Sequence, residues 1–174
     1  MDECAKHESY PAWIVLVTVL HSLAIYALGA YVLSGFGLIW AALYVVYCLA
    51  LKLRLLKSGC PNCYYYGRAC GLGAGWLSAR LFGPGDPKRF AARQLTWADM
   101  VPEFLVGIAP LVGGIVLLVG GFDWLRLGLL LALVLFCGPG NAVVHGSLLC
   151  NGCKQHDLGC PACDFFTKDT REGV

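Results

Sequence analysis

Residues 12–33 read AWIVLVTVLHSLAIYALGAYVL, and this stretch decides the architecture. It carries no charge, and only Thr18, His21, Ser22 and the hydroxyls of Tyr26 and Tyr31 interrupt its apolar run. A helix needs about 20 apolar residues to cross about 30 Å of hydrocarbon, so this stretch is long enough to span a membrane. Residues 36–51, 104–122 and 127–149 read the same way. The 36–51 span is short enough that Lys52 and Arg54 must extend from its end toward the headgroups. With 58% hydrophobic and only 14% charged residues, four such helices leave too little polar surface for a soluble helical domain. The first ten residues carry Asp2, Glu3 and Glu8 in place of a basic region, so the first span reads as a retained helix and not as a signal peptide.

Each pair of spans is followed by a cysteine cluster. Cys60, Cys63 and Cys70 follow the first pair, and Cys150, Cys153, Cys160 and Cys163 follow the second. A shift of ninety positions superimposes Cys60 on Cys150, Cys63 on Cys153 and Cys70 on Cys160, and sets Gly73 against Cys163. The expected fold is therefore an all-α integral membrane protein with four transmembrane helices arranged as two tandem two-helix repeats. Residues 1–75 form repeat 1, with spans over 12–33 and 36–51 and a CxxCx6C loop. Residues 76–100 form an interfacial connection. Residues 101–174 form repeat 2, with spans over 104–122 and 127–149 and a CxxCx6CxxC tail.

The connection should be a folded surface layer. Trp76, Leu77, Leu81 and Phe82 make an apolar face beside Arg80, which suits a short interfacial helix. Asp86 followed by Pro87 signals the start of a second short helix, and Thr96 with Asp99 resembles a capping box opening the third span. The glycine-rich stretch from Gly71 to Gly75 follows no strand, so it reads as a tight turn out of the thiol loop and not as a phosphate cradle.

Orientation follows from charge. Lys52, Arg54, Lys57, Arg68, Arg80, Lys88, Arg89 and Arg93 lie in the long connection against only Asp86 and Asp99. The positive-inside rule then places both termini and both clusters on the cytoplasmic side of the cell (inner) membrane. In a reducing compartment, metal ligation or transient thiol chemistry is a better reading of clustered cysteines than disulfides.

A CxxC pair points two thiolates at one ion, and two pairs complete the four-sulfur shell of structural zinc. Cys60, Cys63, Cys70, Cys150, Cys153, Cys160 and Cys163 are accordingly the expected metal ligands, with zinc as the metal and an iron-sulfur cluster as the alternative. The six-residue gap is short for a zinc ribbon, so pairing across the repeats, for example Cys60 and Cys63 with Cys150 and Cys153, stands beside pairing within them. Cys4 and His7 are candidate fourth ligands for the three-thiol cluster. No CxxCH is present to attach a haem.

Inside the fourth span, Cys137, Asn141 and His145 recur every four residues and share one face of an ideal helix, beside a Gly138-Pro139-Gly140 kink. His145 and Asn141 are the candidate cofactor-binding pair, suited to a quinone or another small hydrophobic ligand. Interhelical hydrogen bonding explains the same residues as packing.

In span count and paired cysteines the chain resembles membrane thiol oxidoreductases of the vitamin K epoxide reductase type. Those proteins place a CxxC at a span end facing the oxidising side, and the cytoplasmic two-repeat layout departs from that. Two functional classes follow. One is a membrane scaffold or binding module whose metal knuckles recruit a cytoplasmic protein partner. The other is a membrane redox component that uses iron-sulfur or CxxC thiol chemistry linked to quinone. The expected partners are the lipid bilayer, that protein and that small ligand, with no nucleic acid. No nucleotide motif, paired-carboxylate site or nucleophile with its base is visible, so no reaction is assigned.

Overall fold

The computed structural model describes residues 7–92 and 96–160, so Cys4, Cys163 and the rest of the tail lie outside the described residues. The described chain is helical: α1 (Ala12–Ser34), α2 (Leu38–Ser58), α3 (Ala74–Leu81), α4 (Pro87–Ala91), α5 (Trp97–Gly120), α6 (Trp124–Leu135) and α7 (Lys154–Asp157). A 3₁₀ turn covers Cys60–Asn62, and wide π-helical turns cover Phe136–Gly140 and Ala142–Cys150. Four stretches, Ala12–Ser34, Leu38–Asn62, Trp97–Gly120 and Trp124–Cys150, are long and apolar enough to cross a membrane. The protein is a multi-pass membrane protein by this criterion, and its helices expose large apolar side chains such as Leu20, Leu38, Val46 and Val119 as lipid-facing surface.

The helices overrun the hydrophobic limits read from sequence, and local chemistry explains where they start and stop. α5 starts at Trp97, where the Thr96–Asp99 pair predicts, upstream of the apolar run that opens at Phe104. The Asp99 carboxylate accepts from the Thr96 hydroxyl at 3.0 Å and the Thr96 N–H at 3.5 Å, which closes the first turn upstream of Pro102. α6 starts at Trp124 because the Asp123 side chain accepts the Leu125 N–H at 3.1 Å. α2 continues past Leu51 and carries Lys52, Arg54 and Lys57 as further helical turns. Asp86 caps α4 as expected, accepting the Lys88 N–H at 2.9 Å with Pro87 in the first turn.

Contacts divide the chain into two compact units, each drawing on both halves of the sequence. One consists of Leu20–Lys52 and Thr96–Gly140. Its core gathers Ile25, Tyr44, Cys48, Leu51, Val106 and Leu133. Two tyrosines of α2 tie it to α5. Tyr44 donates its hydroxyl to the Val106 carbonyl at 2.8 Å, and Tyr47 donates to the Pro102 carbonyl at 2.7 Å. Pro110 has no N–H to offer the carbonyl four residues back, so the first of these bonds satisfies an acceptor that the helix leaves open. Pro139 has the same defect, and the Phe136–Gly140 segment responds by widening into a π turn.

The other unit comprises the chain up to Val19, Leu53–Leu95 and the chain from Asn141 on, and it contains the described clustered thiols, Cys60, Cys63, Cys70, Cys150, Cys153 and Cys160. α3 packs on the end of α2 through Ser78, fully buried, whose hydroxyl donates to the Leu56 carbonyl at 3.0 Å. Its other face exposes Trp76, Leu77 and Leu81, with the Arg80 guanidinium 3.6 Å from the centre of the Trp76 ring. That combination of an apolar face and a stacked cation suits a membrane interface.

A thiol-lined cavity

The two cysteine loops fold by the same local bonds. In the first, the Cys63 N–H donates to the Cys60 carbonyl at 3.3 Å and the Tyr66 N–H to the Cys63 carbonyl at 3.0 Å. In the second, the Cys153 N–H donates to the Cys150 carbonyl at 3.3 Å and the His156 N–H to the Cys153 carbonyl at 3.1 Å. The Cys60–Cys63 and Cys150–Cys153 pairs each close a tight turn.

The loops also grip each other. The Tyr64 N–H donates to Gln155 Oε1 at 2.7 Å, and the Lys154 N–H donates to the Tyr65 hydroxyl at 3.1 Å. Tyr64 and Lys154 are ninety positions apart, as are Tyr65 and Gln155, so the two bonds form a reciprocal pair. The segment from His7 to Tyr10 joins both loops. The His7 N–H donates to the Gly152 carbonyl at 3.0 Å, and the Tyr10 N–H to the Ala69 carbonyl at 2.9 Å. Tyr65 donates to the His7 carbonyl at 2.6 Å, and Tyr10 donates to the Leu149 carbonyl at 2.6 Å. At the rim, Lys154 Nζ lies 2.6 Å from Glu8 Oε1, which lowers the Glu8 carboxyl and raises the Lys154 ammonium from their ordinary values.

These loops line a half-open cavity of about 230 Å³. Cys60, Cys63 and Cys70 line it from one loop and Cys150, Cys153 and Cys160 from the other, with Tyr10, Tyr65, His145 and Gln155 among the remaining wall residues. No disulfide joins any two of the eight described cysteines. Among the described residues, no three His, Cys, Asp or Glu side chains form a group that could hold an ion, so the sulfurs share a wall without meeting at one point. Burial pushes the Cys63 thiol up to about 12, and the neighbouring thiols of Cys153, Cys70 and Cys60 add to the rise. Burial likewise pushes Tyr65 up to about 12 and raises Tyr10 further still. Cys70 sits differently. Its sulfur accepts the N–H groups of Ala74 and Gly75, each at 3.2 Å, in the first turn of α3.

Two glycines make that turn possible. Gly73 has φ +70°, in the left-handed region, and reverses the chain into α3. Gly75 lies against the Tyr65 carbonyl, and a Cβ there would also come within 2.6 Å of the Arg68 carbonyl oxygen. The turn role expected of Gly71 to Gly75 matches this geometry.

The candidate residues of the fourth span separate. His145 lines the cavity, whereas Asn141 is half-buried and is not among its wall residues. The wide turns over Ala142–Cys150 account for this. Residues five apart are hydrogen-bonded there, so His145 and Cys150 both reach the wall while the four-residue spacing loses its common face. Gln155, Tyr10 and Tyr65 were not singled out by sequence reasoning. The ninety-residue correspondence of Tyr65 with Gln155 was the available signal. No protein-family model, curated protein or solved structure matches this chain.

Proposed function

We propose that this chain is a multi-pass membrane protein whose thiol unit binds a thiophilic metal ion, zinc first, as a scaffold or binding module facing the cytoplasm. One observation carries the reading: six cysteines, three from each cluster, line a single cavity. Cysteine has one side-chain torsion before its sulfur and three staggered wells, so each sulfur on the wall has alternative positions from which to approach an ion. Thiolate ligands in a soft, desolvated setting select zinc, copper(I) or iron-sulfur over hard cations. The matched turns and the reciprocal Tyr64–Gln155 and Lys154–Tyr65 bonds support the tandem-repeat reading of the fold. The basic connection supports the cytoplasmic placement of the cavity.

The metal-free redox reading has less support. A redox thiol acts as an accessible thiolate, and the burial that raises Cys63 works against that form, whereas a metal ion compensates the charge directly. Metal analysis of anaerobically purified protein tests the proposal. Zinc bound in stoichiometric amount, and lost in Cys63→Ser, is the expected result. A brown protein whose visible absorbance bleaches on reduction would replace zinc by an iron-sulfur centre and promote quinone-linked electron transfer.

A further inference from the structure

Gln155 is 1% exposed and lies in the cavity wall. Its Oε1 accepts the Tyr64 N–H, which fixes the orientation of the amide, and its Nε2 has no hydrogen-bond partner. A buried amide donor left open is costly, and the wall that Gln155 belongs to is lined by sulfurs able to supply its acceptor. A neutral thiol is a weak acceptor. A metal-bound thiolate is anionic and takes a charge-assisted bond.

The sulfurs are also not equivalent. Cys63, Cys70 and Cys153 pack against one cluster, with Tyr10, Tyr65 and Leu149, whereas Cys150 and Cys160 pack with each other beside Phe90, and Cys153 borders both groups. Cys60 belongs with Cys63, whose N–H donates to the Cys60 carbonyl at 3.3 Å in one tight turn, and both line the cavity. The Cys70 sulfur already receives two backbone N–H groups at 3.2 Å, an environment suited to an anionic ligand sulfur.

We infer that the ion is held across the two repeats, by Cys60, Cys63 and Cys70 with Cys153, and that the Gln155 amide donates to one of the bound sulfurs and orients it. This rests on the metal-binding reading and specifies its ligands. Four sulfurs close a tetrahedral shell. The first cluster, one thiol short against its twin, is then completed from the other repeat and not by water. Gln155 is a positioning residue in this scheme, since it acts on the ion through the sulfur.

The test is cobalt(II) loading of the full chain in detergent, followed through the sulfur-to-cobalt charge-transfer bands and by competition for affinity. The unaltered chain should give a four-sulfur spectrum. The double variant Cys150→Ser, Cys160→Ser should keep it, and Cys153→Ser should lose one sulfur and bind more weakly. Gln155→Glu retains an oxygen for the Tyr64 N–H but replaces the donor by an acceptor. It should bind cobalt in the same stoichiometry, about 10- to 100-fold more weakly, with shifted bands. If the double variant also loses sulfur ligands, the ion draws on Cys150 or Cys160, as a site within the second cluster would, and the cross-repeat assignment is overturned; a four-sulfur spectrum retained in Cys153→Ser would overturn it as well. Unchanged bands and affinity in Gln155→Glu would overturn the role of the amide. If the unaltered chain takes up neither cobalt nor zinc, the metal-binding reading itself fails, an outcome distinct from the other two.

Discussion

Replacing Tyr65 by Phe removes one oxygen atom and keeps the ring. Tyr65 is 2% exposed, and its hydroxyl both donates to the His7 carbonyl at 2.6 Å and accepts the Lys154 N–H at 3.1 Å. Its ring centre lies 5.3 Å from that of Tyr10 and 5.2 Å from that of Tyr64, contacts that Phe preserves. The variant therefore isolates two hydrogen bonds that tie the amino-terminal segment, the first loop and the second loop together. Removing one partner of such a bond costs about 1–3 kcal/mol, and His7 and Lys154 are half-buried, so water recovers part of the loss. The pair should cost the thiol unit about 2–4 kcal/mol. Cys60 and Cys150, each 8% exposed, label only when the unit opens, so a chelated sample pulsed with a thiol reagent reports the opening equilibrium. The expected acceleration is roughly 30- to 1,000-fold, taking about 1.4 kcal/mol per factor of ten. Cys48, 3% exposed in the other unit, should label at its original rate. Acceleration below about threefold at Cys60 and Cys150, or an equal acceleration at Cys48, would refute the view that the Tyr65 hydroxyl locks the two loops.

Gly75→Ala should be severely destabilising, because its Cβ meets the Tyr65 and Arg68 carbonyls, while Gly83→Ala, with nothing near its Cβ, should accumulate normally; folded yield in detergent checks both. Glu8→Gln should lower the melting temperature near neutral pH and low salt. The lowered Glu8 carboxyl contributes stability above its unfolded value of 4.5, and that contribution is lost as pH falls through the folded value, so the two melting curves should converge in acid and in high salt. With the metal chelated, a membrane-impermeant maleimide should leave Cys60 and Cys160 unlabelled in intact cells and label them after permeabilisation. Labelling in intact cells, with a control on the outer face, would invert the orientation.

The spans were legible because bilayer crossing imposes a length on apolar runs that no other constraint mimics. Their ends were less so. The overrun of α2 through Lys52, Arg54 and Lys57 depends on helix propagation, which hydropathy does not register. Asp86, Pro87 and the Thr96–Asp99 pair announced their helices because capping is local chemistry with a short sequence signature. The cysteine positions identified the candidate site. Its other members did not show, because a glutamine gains meaning only from the wall around it. Gln155 looks like an ordinary polar loop residue until Tyr64 is seen to fix one end of its amide. The separation of His145 from Asn141 was illegible for another reason. A four-residue spacing implies a shared face only on an α-helix, and the wide turns from Phe136 onward change that period.

The central claim is that the sulfurs lining the cavity bind a thiophilic metal. X-ray absorption at the zinc edge, on protein purified anaerobically without added metal, tests it most directly. The account predicts a zinc edge with a first shell dominated by sulfur at about 2.3 Å. A shell of nitrogen and oxygen near 2.0–2.1 Å, or no metal in the protein, would contradict it.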